Sequence, residues 1–107
     1  MALSKKITYS NGTEANYHKI HTVALTHRSV ITHTENGEEV IDTGYEMIVN
    51  VYSYVSKDIR KINEHANLTT YVAREFCALD AIKKSNIMAL AYDIVKKTDQ
   101  FSGAEDI

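Results

Sequence analysis

The sequence predicts an α+β fold, an antiparallel β-meander of about four to five strands with a C-terminal amphipathic helix packed on one face. Three observations carry that expectation. Asn11-Gly12 and Asn36-Gly37 each separate two segments in which apolar and polar residues alternate, the pattern of a β-hairpin. Residues 45–55, YEMIVNVYSYV, alternate with the period of a half-buried strand. Ile87, Leu90, Ala91, Ile94 and Val95 recur at i, i+3, i+4, i+7 and i+8, which is one apolar stripe on a helix.

Taken along the chain, residues 5–10 are expected to pair with 13–20, and residues 28–35 with 38–43. A two-residue type I′ loop would put positive φ on both central residues, which Asn tolerates and Gly adopts without strain. Residues 17–34 exceed an ordinary strand, so a bend or bulge is expected at 26–29, and Gly44 is expected to mark a further break. In the strand after it, Met47, Val49, Val51 and Val55 point to the core, whereas Glu46, Asn50, Tyr52 and Tyr54 point away. Residues 56–64, SKDIRKINE, suit one or two helical turns capped by Ser56. A last strand is read over 68–79, with helix as the competing reading for 72–79, where VAREFCAL contains no breaker. Ser85 is the expected N-cap of the final helix, Lys96 and Lys97 suit its negative end, and Gly103 follows it.

A chain of 107 residues, 44% hydrophobic and 24% charged, without proline, is expected to form one domain over residues 1–107 with no long linker. The formal charge of −2 and pI near 6.2 disfavour dedicated nucleic-acid binding, for which a basic stripe is the usual footprint. The start, MALSKKITYS, has no apolar run behind its lysines, and no stretch approaches the ~18 apolar residues of a membrane span. No membrane association is expected, and the chain is expected to be intracellular and soluble when made. The single cysteine, Cys77, is expected to pack as a small hydrophobe beside Phe76, Ala78 and Leu79.

Residues that could carry chemistry are scattered. His18 and His21 stand three apart, a spacing that sends them to opposite faces of a strand, and no Cys-x-x-Cys or His-Glu-x-x-His accompanies the five histidines. A Gly-rich phosphate loop and a Gly-x-Ser-x-Gly elbow are both missing. Asp42, Asp58, Asp80 and Asp93 read as caps and surface charge. The expectation is a protein that is not an enzyme and carries no cofactor or metal. Tyr52 and Tyr54 are the informative pair, because tyrosine joins a large apolar body to a polar tip and suits an interface. Either they meet a partner, or the 56–64 turn folds back over them.

Three stretches, NGTEANYHKI after a lysine-rich start, VYSYVSKDIRK, and AYDIVKKTDQFSGAEDI, together resemble a group of small bacteriophage and prophage proteins of about one hundred residues. Those proteins open with an NG turn before an NYHRI-like strand, carry an SYxSKExR-like junction, and close with an AYDYLK-like helix, a phenylalanine and an acidic end. Residues 22–46 and 67–84 depart from that pattern. The resemblance implies a phage setting, virion-associated or of unknown role, and brings no catalytic residues. With it, the expected function is a non-enzymatic structural or accessory protein of the tail or adsorption apparatus. It would self-associate as a homo-oligomer, bind other virion proteins and enter the virion, with Tyr52, Tyr54, Lys57 and Arg60 at its interface. The alternative is a small regulatory protein that binds a host protein or single-stranded nucleic acid through the same aromatic and basic residues, Lys61 included.

Overall fold

The computed structural model describes every residue except Ser85, and every side chain except those of Val30, Asp42, Leu79, Lys84 and Ser85. In chain order the elements are β1 (Leu3–Thr8), β2 (Glu14–His33), β3 (Glu39–Tyr54), α1 (Lys57–Ile62), β4 (Thr69–Ala78), α2 (Leu79–Lys84), α3 (Ile87–Lys97) and β5 (Glu105–Asp106). The first four strands form the expected antiparallel meander. β5 returns to the outer edge of β1, giving the order β4-β3-β2-β1-β5. Residues 72–78 are strand, which resolves the competing helical reading. The short elements α2 and β5 have no counterpart in the expected architecture.

Both Asn-Gly dipeptides close hairpins, but with a different turn. Gly12 N–H donates to the Tyr9 carbonyl and Tyr9 N–H to the Thr13 carbonyl, both at 2.9 Å; Gly37, Thr34 and Glu38 repeat the arrangement at 2.9 Å. Only the glycines take positive φ, 86° and 79°. Each loop is thus a type I turn closed by a left-handed glycine, a three-residue loop that preserves strand twist without straining the asparagine. The Asn11 side chain accepts instead from Thr13 N–H at 3.0 Å.

The expected bend at 26–29 is not there, since β2 runs through to His33. Its irregularity lies at His21, between the pairs Ile20↔Val51 and Thr22↔Asn50. The shift leaves Ile20 N–H to donate, at 3.3 Å, to the hydroxyl of Tyr92 on α3, which itself donates to the Met1 carbonyl at 2.7 Å. β1 shifts register between Ser4 and Ile7, and there the Lys5 carbonyl accepts from His18 Nε2 at 2.7 Å. At each shift a buried side chain takes up a backbone group that the ladder has released.

Gly44 also differs from expectation, because β3 passes through it unbroken. A Cβ at this position would lie 2.3 Å from the Cys77 carbonyl oxygen of β4. The glycine marks a close approach of two strands.

Met47, Val49 and Val51 are buried on one face of β3, as the alternation predicts. Val55 is not part of that face; it lies beyond the strand end and is exposed, and buried Ser53 completes the row. Ala91, Tyr92, Ile94 and Val95 of α3 pack on this face with Leu3, Ile20, Ala73 and Cys77. The Cys77 thiol is free and buried, and burial pushes its pKa up. Phe101 plugs the layer, edge-on to His18 at 5.0 Å and to Tyr71 at 5.3 Å between ring centroids. Ser85 lies outside the described residues. The cap of α3 is Asn86, whose side chain accepts from Met88 and Ala89 N–H at 2.9 and 3.1 Å.

Candidate functional site

Pairing between β3 and β4 stops at Gly44↔Ala78, whereas β2 and β3 remain paired out to His33↔Glu39. Residues 29–43 therefore form a two-stranded arm beyond the sheet. The row Leu25, His27, Ile31 on β2 and Tyr45, Ile41 on β3 continues the face that α3 covers lower down. On the arm none of the described residues covers it: Ile31 is 57% and Ile41 60% exposed, and the two are direct cross-strand partners. Val40 is exposed on the other side. A two-stranded ribbon is marginal in water by itself, and an exposed apolar row marks a contact surface. The arm also holds four of the fourteen acidic residues and none of the twelve basic ones, so its formal charge is −4 and the rest of the chain carries +2.

The four residues expected at an interface do not act as a set. Tyr54 is 2% exposed and packs with Ala2 and Tyr17, its ring centroid 6.2 Å from that of Tyr17. Its hydroxyl donates to the Glu64 carbonyl, and burial raises its pKa, with Arg60 beside it opposing the shift. The expected exposure of Tyr54 is thus corrected. Ser56 caps α1 by accepting from Ile59 N–H at 3.3 Å, which turns the chain back across the end of the sheet and seals this ring. Arg60 is half-buried in the same contact and serves the fold. Tyr52 is half-buried and stacks on His21, with centroids 4.1 Å apart and planes 9° from parallel. Lys57 is exposed. Only Tyr52 and Lys57 are left for a partner.

Motif and spacing rules do not single out Ile31 and Ile41. The signal was the apolar alternation running on past Gly44, at equal distance on either side of the second Asn-Gly loop.

His18 and Ser53 form a buried polar pair, with Nδ1 and Oγ 2.8 Å apart. Because the Lys5 carbonyl can only accept, Nε2 carries the ring hydrogen and Nδ1 accepts from the Ser53 hydroxyl. Both residues are fully buried, so no substrate reaches this pair; it ties β1, β2 and β3 together under Phe101. Burial lowers the pKa of His18, outweighing the hydrogen bond to Lys5. A group that is harder to protonate when folded is charged more readily in the unfolded chain. Stability is then complete above the unfolded value near 6.5 and declines as pH falls below it, with a limiting slope of about 1.4 kcal/mol per pH unit. Glu46, whose pKa is lowered chiefly by Arg28 and then by Arg74, loses its contribution only below about 4.5. Urea midpoints between pH 7.5 and 5 should therefore fall in the native chain and stay flat in His18→Gln; equal slopes in both would remove His18 as the cause.

Two clefts open on the described surface. A cleft of about 200 Å³ opens between Tyr9, Asn11, Leu68 and Thr69, and another of about 250 Å³ between Arg28, Glu46, Arg74 and Phe76. Both fall below the ~300–1,000 Å³ usual for ligand pockets. Among the described residues no three His, Cys, Asp or Glu side chains converge as a metal site, and no helix is long and apolar enough to cross a membrane. Comparison with protein-family models, with curated proteins and with solved structures gives no match to this chain.

Proposed function

We propose that this chain is a non-enzymatic assembly protein that works by self-association, with the 29–43 arm as its principal contact. One observation carries the reading: a sheet face that is covered by α3 in the body runs bare onto a two-stranded arm, with Ile31 and Ile41 open to water. Ordering such a ribbon without a third strand or a cover gains little, so a partner surface is the natural completion. The resemblance of NGTEANYHKI, VYSYVSKDIRK and AYDIVKKTDQFSGAEDI to small phage proteins supplies the setting, a phage or prophage structural or accessory protein of the tail or adsorption apparatus. Particles of that kind are built from repeated copies, which suits a protein that binds itself.

Ile31→Thr with Ile41→Thr tests the arm, because threonine keeps the β-branched shape while removing the apolar contact. The double variant should drop to monomer mass in light scattering while its circular dichroism stays native. A variant that keeps the native mass would remove the arm as the contact. For the setting, peptide mass spectrometry on particles from a strain that carries the sequence should recover this chain; particles without it would leave the tail assignment without support.

A further inference from the structure

The two ends of the molecule are complementary in charge and in apolar character. β3 runs from Glu39 at the arm tip to Tyr54, where α1 follows, so the arm and α1 lie at opposite ends of a body 55 × 28 × 22 Å. No residue of α1 is fully buried. Ile62 is 82% exposed, and Ile59, one turn before it on the same side, is exposed too. Lys57 and Lys61 stand four apart on this helix, exposed, and neither forms an ion pair among the described residues. Lys57, Arg60 and Lys61 against Asp58 give the helix a formal charge of +2. The arm presents the opposite combination, exposed Ile31 and Ile41 beside Glu35, Glu38 and Glu39. Among the described residues Glu39 forms an ion pair only with His33, at 3.8 Å.

We infer that the arm of one copy docks on α1 of a second copy, Ile59 and Ile62 covering Ile31 and Ile41 while the net positive charge of the helix, with Lys57 and Lys61 on its other side, attracts the glutamates at the arm tip. This inference rests on the self-association reading and names the surface that the arm meets. One copy cannot make the contact with itself, because an unbroken strand of 16 residues holds the two ends apart. Two arms pairing with each other would cover the same isoleucines but would bring two charges of −4 together, a juxtaposition that like-charge repulsion disfavours. Arm-to-α1 docking uses different surfaces on the two copies. It is therefore heterologous, and it closes into a ring or continues as a filament according to the rotation between neighbours.

Charge reversal at each end, read by light scattering at physiological salt, tests it. Glu38→Lys with Glu39→Lys reverses the arm, Lys57→Glu with Lys61→Glu reverses α1, and a fourth protein carries all four changes. All four positions are exposed, and circular dichroism reports whether each variant folds. Each single-end reversal should fall to the mass of one chain, and the fourfold variant should regain the native mass. Loss without regain would overturn the pairing, since any charge change can weaken an assembly but only paired ends restore it. If the native chain assembles and the reversals leave its mass unchanged, the arm-to-α1 contact fails while self-association stands. A native chain that is monomeric overturns both.

Discussion

Tyr92→Ala should be among the most damaging single substitutions in this protein, costing at least about 4 kcal/mol in urea denaturation. Truncating a fully buried aromatic ring commonly costs about 3–5 kcal/mol. Here the ring belongs to the core and its hydroxyl also bridges Ile20 N–H and the Met1 carbonyl, so the alanine leaves a buried backbone donor without a partner as well. An unsatisfied buried group adds about 1–3 kcal/mol. Against a total stability of about 5–15 kcal/mol, the sum brings the domain close to unfolding at ambient temperature. Tyr92→Phe separates the two contributions, since it keeps the ring and removes only the bridge, and should cost about 1–3 kcal/mol. A phenylalanine variant as stable as the native chain would mean that the shifted register at His21 does not depend on α3.

Gly44→Ala should cost about 3 kcal/mol, at the upper end for inserting one methyl group. The added Cβ would sit 2.3 Å from the Cys77 carbonyl oxygen, 3.2 Å from its carbon and 2.9 Å from Phe76 Cζ. The phenylalanine ring can swing away at its tip, but the carbonyl belongs to the neighbouring strand and yields only if β3 and β4 part. Gly44↔Ala78 is the last row that joins these strands, so relief of the clash would fray the end of β4 where α2 begins. The φ of Gly44 is not positive, so the effect is one of space and not of backbone conformation. A Gly44→Ala variant within about 1 kcal/mol of native would show that the two strands separate at little expense.

How far the fold could be read from sequence depended on how local the determining contacts were. Met47, Val49 and Val51 announce a strand face by their spacing alone, and the Ile87 to Val95 stripe announces a helix in the same way. The shift at His21 could not be read, because the side chain that compensates for it, Tyr92, lies 72 positions from Ile20, whose N–H it takes up. β5 has only two residues and exists through its pairing with Leu3 and Ser4. The Asn-Gly dipeptides specify a hairpin but are compatible with both a type I′ loop and the three-residue loop that forms.

The candidate surface shows the same division. Alternation places Tyr52 and Tyr54 on one face, but Ala2, Tyr17 and the return of the chain to Glu64 bury the second ring while the first stays half-exposed. The second hairpin was visible, but its standing free as an arm was not, because that depends on where β4 stops. Sequence periodicity reports which residues share a face, and tertiary structure decides what covers it.

The most direct measurement is the solution mass of the native chain, by size exclusion with multi-angle light scattering over a tenfold concentration range. Self-association through the arm predicts a mass that is a multiple of 12.1 kDa and holds on dilution, or falls toward it as subunits dissociate. A mass of 12.1 kDa at every concentration would contradict it, and would mean that Ile31 and Ile41 stay open to water or meet a different protein.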